Sequence, residues 1–522
     1  MTRHKTIRCL AAAVGAAVLL VPGAVQAQVT PTDADSMLHP VGPGVEVQPI
    51  ITVGETIGDY RFESIPDGIA LRKQQSGRVN ALINHETSTV PFPYVPGSPE
   101  ESLSDFTNAM LSELTLESSD AGVAATEGRI VIPSKANYQR FCSNFLARKV
   151  HGFERPLLFT NEESPDFVYR TGRAWRGPDT ATDPAAEQAG VVVAYDPASG
   201  RYRTIYGMGR HNHENSVALE GYGRPVVLSG DDTFSAPASQ LYMYKAESAD
   251  AVWNDRGRLL AFKSSEANDY GDLEGSEAIS GKFIRVPREV ALGDQTVLEE
   301  WSNDHNVFQF IRIEDLAYDR HRHNVVYFAD TGEPLAIPDP ATGRLKRGPD
   351  GTMGPYPNGR VFRMVLDPDS PRRVKRLSIL IDGDVRGADS AGDLDLIHNP
   401  DNLETTADSL LIQEDPGSQN RYPAGTGTTA RVWLYDLDSG SLEVVARVNQ
   451  AGDPAADAGE WESSGIVDAS RSFGPGAFLL DVQAHTLFLE TAPGPDVTGD
   501  GEPDWTLKRE GGQLLLLRIP GA

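Results

Sequence analysis

The sequence predicts an all-β chain organised as a β-propeller of six blades with long inter-strand insertions. Three observations carry that prediction. Hairpin-like segments recur along hundreds of residues, convincing amphipathic helices between them are few, and 50 Gly and 36 Pro punctuate the apolar runs. A stacked array of β-sandwiches produces the same local signals and is the alternative architecture.

The chain begins with Arg3, Lys5 and Arg8, an apolar run to Val21, and a small-residue site ending at Ala27. Residues 1–27 read as a cleaved secretory signal, so export to the periplasm or the cell exterior is expected. No adjacent Arg pair precedes the apolar run, which favours the general secretory route. No later stretch approaches the ~20 apolar residues that span a bilayer, and residues 28–522 read as a single propeller domain, because a propeller grows by adding blades rather than thickening one core. Loss of the signal removes Cys9 and leaves Cys142 as the one cysteine, so no internal disulfide can form.

The repeating unit is an apolar strand, a turn seeded by Asp, and a second strand. It occurs as "VVVAYDPASGRYRTIY" from Val191, "EDLAYDRHRHNVVYFADT" from Glu314, "FRMVLDPDSPRRVKRLSIL" from Phe362 and "RVWLYDLDSGSLEVVARV" from Arg431. An Asp at the strand end accepts hydrogen bonds from its own downstream backbone and starts the turn. "VPFPYVPGSPEESLS" near residue 90 and "KRGPDGTMGPYPNGR" near 350 read as surface insertions.

With 74 acidic against 47 basic residues, the formal charge is −27. That charge argues against nucleic acid or an anionic membrane as partner and suits a soluble monomer. It is also what a chain holding multivalent cations requires, since the ions become the largest local charges. The acids cluster at strand ends: Glu86 in "INHETS", Glu162 and Glu163 in "LFTNEES", Glu214 in "GRHNHENS", Asp231 and Asp232 in "LSGDDTF", Glu314 and Asp315 in "IRIEDLA", Asp401 in "NPDNL", Glu414 and Asp415 in "IQEDP". In a propeller the ends of the inner strands converge on the central channel. Carboxylates gathered there repel one another unless cations bind, and Ca²⁺, wanting six to eight oxygens, suits such convergence.

The segment "GRHNHENSVALEGYGRPVVLSGDDTF" resembles the His-Glu, valine-rich strand and Gly-Asp-Asp segment of the PhoX-type alkaline phosphatases, exported metal-dependent phosphomonoesterases built on a β-propeller. "FIRIEDLAYDRHRHNVVYFADTG" is similar to that family's Arg-Pro-Glu-Asp stretch, and "NPDNLETTADSLLIQEDP" to its Asp-Asn segment. The resemblance implies hydrolysis of a small phosphate monoester at a site holding Fe³⁺ and Ca²⁺. It implies Cys142, Glu214 and Glu314 as iron ligands, with Asp401 and Glu414 as further candidates. Glu86, Glu162 and Glu163 are candidates for calcium and the Asp231-Asp232 pair for a metal of either kind, while Arg312 grips phosphate beside Glu314 in the catalytic pair. The chain departs from the family in the residues around Cys142, "RFCSNFLARKVHGF", and in reading Arg-Ile-Glu-Asp. Two other functions share the composition: a calcium-dependent propeller hydrolase acting on phytate or on esters and lactones, and a non-catalytic calcium-stabilised binding propeller.

Near the C-terminus, "PDVTGDGEPDWT" places Asp496, Asp500 and Asp504 around Gly501, a further calcium-loop candidate. It is not an EF-hand, because Leu507 stands where the bidentate Glu would be. In the same third of the chain, Glu462 and His485 are a further polar pair, and the serines beside Glu462 lack the Gly-x-Ser-x-Gly setting of an esterase nucleophile.

Overall fold

The computed structural model describes residues 32–74, 77–233, 236–417, 422–423 and 425–522; the expected signal at 1–27 lies outside them. Six four-stranded antiparallel units follow one another along the chain, and their inner strands pack side by side in a closed ring. The inner strands are Pro66–Lys73, Phe141–Ala147, His213–Ala218, Ile313–Tyr318, Pro400–Thr405 and Glu462–Asp468. This is a six-bladed β-propeller, not a row of sandwiches.

The blades stack through six apolar layers, one between each neighbouring pair, which explains why the strands are apolar with little alternation. In the second strand of the second blade, Leu157 and Phe159 join the layer toward the third blade, while Leu158 joins the layer toward the first. The same division separates Leu411 from Leu410 and Ile412 in the fifth blade. Side chains alternate across a strand, and here both faces are buried.

All four hairpins read from the sequence are present: Val192–Asp196 with Arg201–Thr204, Ile313–Tyr318 with Val325–Asp330, Arg360–Leu366 with Arg373–Asp382, and Arg431–Asp436 with Leu442–Val448. Asp196, Asp319, Asp367 and Asp436 each accept from backbone amides two residues on. The ring is closed by sequence-distant strands. Glu46–Thr52 completes the sixth blade against Thr506–Arg518, and Leu38–Pro40 adds to the fifth against Leu442–Val448. Ala278–Arg285 pairs with both Arg258–Ser264 and Arg373–Asp382, fusing the third and fourth blades into one nine-stranded sheet. The insertion after the first blade's second strand reaches the sixth, where Leu103–Asp105 runs parallel to Thr506–Arg518. No helix among the described residues is long and apolar enough to cross a membrane.

Candidate metal centre

Every inner strand carries a β-bulge at the same height. The register slips by one residue between Pro66 and Ile69, Phe141 and Asn144, His213 and Ser216, Ile313 and Leu316, Pro400 and Leu403, and Ser464 and Ile466. A bulge inserts an extra residue and re-aims its side chain. The first residues of five of these bulges are Asp67, Cys142, Glu214, Glu314 and Asp401, all of which take part in the donor groups at the channel. Ser464 holds the corresponding place in the sixth blade, where Ser-Ser-Gly-Ile aligns with Pro66-Asp67-Gly68-Ile69.

The second strands deliver another row. The amide of Glu86 donates to Ile65 O at 2.9 Å, Glu163 to Arg140 O at 3.0 Å, and Asp232, Thr331 and Asp415 to Asn212, Arg312 and Asn399, each at 2.9 Å. One geometry thus recurs in five blades and fixes the residue just past each second strand beside the channel. The residue before it points the other way, as strand alternation requires. Glu162 is gripped by Arg170 through both carboxylate oxygens, at 2.7 and 2.6 Å, and Glu414 by Arg431, both at 2.8 Å, and by Trp433 Nε1. Asp231 accepts from the Thr233 hydroxyl at 2.6 Å and from the Gln240 amide. The structure therefore separates Glu162, Asp231 and Glu414 from the donor groups and makes them clamps that tie loops to the blades.

The channel donors form four overlapping groups: Asp67, Glu86 and Cys142; Cys142, Glu163 and Glu214; Glu214, Glu314 and Asp401; Asp401, Asp415 and Glu462. Within each, one donor atom from every residue lies within 4.8 Å of the others. Cys142 belongs to two groups and its thiol donates to Asp67 Oδ2 at 3.2 Å. Beneath the arc runs a polar floor: Ser143 Oγ donates to Glu214 Oε1 at 3.0 Å and accepts from Asn402 Nδ2 at 3.1 Å, while Ser464 Oγ donates to Asn402 Oδ1 at 3.2 Å.

The electrostatics of this arc are unfavourable without cations. Burial first, then the neighbouring carboxylates, push Glu163, Glu214, Glu314, Asp401 and Glu462 well above the ordinary carboxylate range, and Glu86 to about 8. Burial and then Asp67 push the Cys142 thiol up in the same way. Asp67 Oδ1 and Glu462 Oε2 are buried without a hydrogen-bond partner. Unpartnered buried oxygens in a crowd of like charge fit multivalent cations, which would supply the missing partners and restore the charged forms. The donor chemistry divides: two groups offer oxygen alone, suited to Ca²⁺, and two include the thiol, suited to a softer or more highly charged ion.

Arg312 lies two residues before the bulge of the fourth blade. Its Nε and Nη2 reach Asp232 at 2.6 and 2.5 Å, and Nη2 lies 3.1 Å from Glu314. Arg140 holds the same position two residues before Cys142 and pairs with Asp166 at 2.7 Å. His485 sits between Glu462, at 3.0 Å, and Glu510, at 2.9 Å, and these carboxylates, Glu510 foremost, raise its imidazole above the ordinary histidine value against the opposing effect of burial.

The candidate calcium loop near the C-terminus does not gather its carboxylates. Asp504 accepts from the amides of Val497 and Thr498, Asp496 from those of Gly499 and Gly501, and Asp500 from that of Glu502. Asp496, Asp500 and Asp504 are turn formers at the tip of the long hairpin joining Ala477–Pro493 to Thr506–Arg518, and they form none of the donor groups found among the described residues. The ligand-type residues outside the sequence-derived set are Asp67, Asp415 and Glu462. Asp67 had a legible signal, the shared x-x-Gly-Ile motif of the first and sixth blades. Asp415 follows Glu414 in the same acidic strand end.

A six-bladed propeller whose channel is lined by buried carboxylates and one thiol is the class that fold and site define. Its architecture matches that of Pseudomonas fluorescens PhoX, solved in complex with vanadate, a transition state analogue, with a TM-score of 0.61 over 94% of this chain and 97% of that one at 14% identity. A Dyadobacter fermentans protein of unknown function gives 0.43 at 7% identity over 91% of this chain and all of that one, and the NanB sialidase of Streptococcus pneumoniae 0.33 at 10% identity over 90% of this chain and 70% of that one. No family model and no curated protein matches the sequence.

Proposed function

We propose that the protein is an exported, metal-dependent phosphatase that hydrolyses phosphate monoesters in the propeller channel. The observation that carries this reading is the arc of four overlapping donor groups, built on bulges of the inner strands, with the buried Arg312 beside Glu314 of its third group. The shared fold with a phosphatase that binds a phosphoryl-transfer analogue supports it.

In this reading Cys142, Glu163 and Glu214 would hold iron, with Glu314 and Asp401 continuing the site, and the carboxylates of Glu86, Asp67, Asp415 and Glu462 would contribute to calcium. The cations supply positive charge against the phosphate oxygens and lower the pKa of water. The chain's own part is positioning. Arg312, which faces the Asp232 and Glu314 carboxylates, would offer the phosphate a rigid fork of donors. Ser143 holds Glu214 and is itself held by Asn402.

Metal analysis paired with release of phosphate from an aryl phosphate tests the proposal. Iron and calcium with turnover are expected. Cys142→Ser should lose iron and activity together, and Arg312→Lys should lower kcat/KM on the order of 100-fold with metal content unchanged. Calcium alone with phytate or ester turnover, or bound metal with no turnover of any of these substrates, overturns it.

A further inference from the structure

Against the chain's net charge of −27, one cleft of about 200 Å³ is lined by Arg224, Lys245, Arg256, Arg258, Arg285 and Arg372, with Glu247 as its only acid. Strand register builds it. Lys245, ending the third strand of the third blade, lies directly opposite Arg258, which opens the next strand. Two residues on and on the same face, Leu260 lies opposite Arg285. Like charges placed directly opposite one another in a sheet are destabilising.

The charges are poorly compensated. Arg224 pairs with Glu247 at 3.3 Å, and Arg372 donates to the Phe283 carbonyl at 3.4 Å. Among the described residues no carboxylate pairs with Lys245, Arg256, Arg258 or Arg285. Burial, with Arg224 and Arg372 nearby, lowers the Lys245 ammonium from its ordinary value. Basic residues often guard exposed sheet edges, but Lys245 is paired on both sides, with Val226 and with Arg258. Edge protection therefore does not account for its place in the cleft.

The cleft also lies away from the channel donors. Glu214 is at the start of the third blade's inner strand, whereas Lys245 is in register with Val226, at the opposite end of that blade. The volume is below the 300–1,000 Å³ typical of sites for drug-sized ligands. We propose that this cleft binds a compact polyanion carrying two or more phosphate groups, on the face of the propeller opposite the metal centre. The site stands independently of any activity in the channel.

Calorimetric titration of the metal-loaded protein with inorganic tripolyphosphate tests this, with orthophosphate as comparison. Saturable binding that weakens as salt is raised is expected, at least 10-fold tighter than that of orthophosphate. Arg258→Glu combined with Arg285→Glu should weaken it at least 10-fold without lowering the melting temperature, since a carboxylate at position 258 would face Lys245, and with aryl phosphate turnover unchanged, and the milder Arg285→Ala should weaken it less. Arg312→Ala, in the channel, should bind tripolyphosphate like the wild type. Wild-type affinity in the doubly reversed protein, loss only in Arg312→Ala, or equal affinity for orthophosphate overturns the proposal.

Discussion

At the scale of residues, the pair Glu162-Glu163 shows how one position decides a role. Both side chains are acidic and buried, yet Glu162 is held by Arg170 through two hydrogen bonds while Glu163 faces Cys142 and Glu214. Removing one partner of a buried ion pair leaves an uncompensated charge, so Glu162→Gln should cost about 3 kcal/mol in urea denaturation. Glu163→Gln should do the reverse in metal-free protein, raising stability by relieving like-charge repulsion, while lowering bound metal and phosphate release. If both substitutions destabilise the metal-free protein equally, the division between clamp and channel residue is wrong.

At the scale of elements, the bulge organises the site. It lets neighbouring inner strands approach so closely that side chains at the crossing are excluded. A Cβ on Gly68 would stand 2.3 Å from Asn144 N and 2.6 Å from Ser143 C, both backbone atoms. Gly465, at φ +41°, would place one 2.5 Å from Asp67 O. Gly68→Ala must therefore displace the strand that carries Cys142. Overpacking of this kind costs about 1–3 kcal/mol, and the melting temperature and iron content should fall together. Unchanged iron in a destabilised Gly68→Ala protein would show that the bulge does not set the thiol's position.

At the scale of the whole molecule, six blades bring carboxylates from across the sequence into one buried channel, and this links stability to pH and metal. In metal-free protein Glu86 keeps its proton to about 8, whereas in an unfolded chain a glutamate releases it near 4.5. Between those values the folded state binds more protons than the unfolded one, so stability is lost as pH rises through this window. Asp67, raised in the same direction, adds to the trend. Chelator-treated protein should melt at a lower temperature at pH 8 than at pH 5, and added Ca²⁺ should restore more at pH 8. A metal-free melting temperature that rises from pH 5 to pH 8 would contradict the crowded-carboxylate account.

The sequence by itself determined the strands, the Asp-seeded hairpins, the propeller class and the acid-rich strand ends, because each is written in residues a few positions apart. It pointed to Glu86, Glu163, Glu214, Glu314 and Asp401 since acids beside short apolar strands stand out locally. The tertiary structure alone decided which member of each acidic pair enters the channel. That choice depends on bulge register and on arginines such as Arg170 and Arg431, which claim Glu162 and Glu414. It also alone brought Asp67 and Glu462, about 400 residues apart in sequence, into one arc, and spread the acids of the C-terminal loop over backbone amides instead. Local pattern fixes which residues lie at strand ends; only ring closure fixes which of them meet.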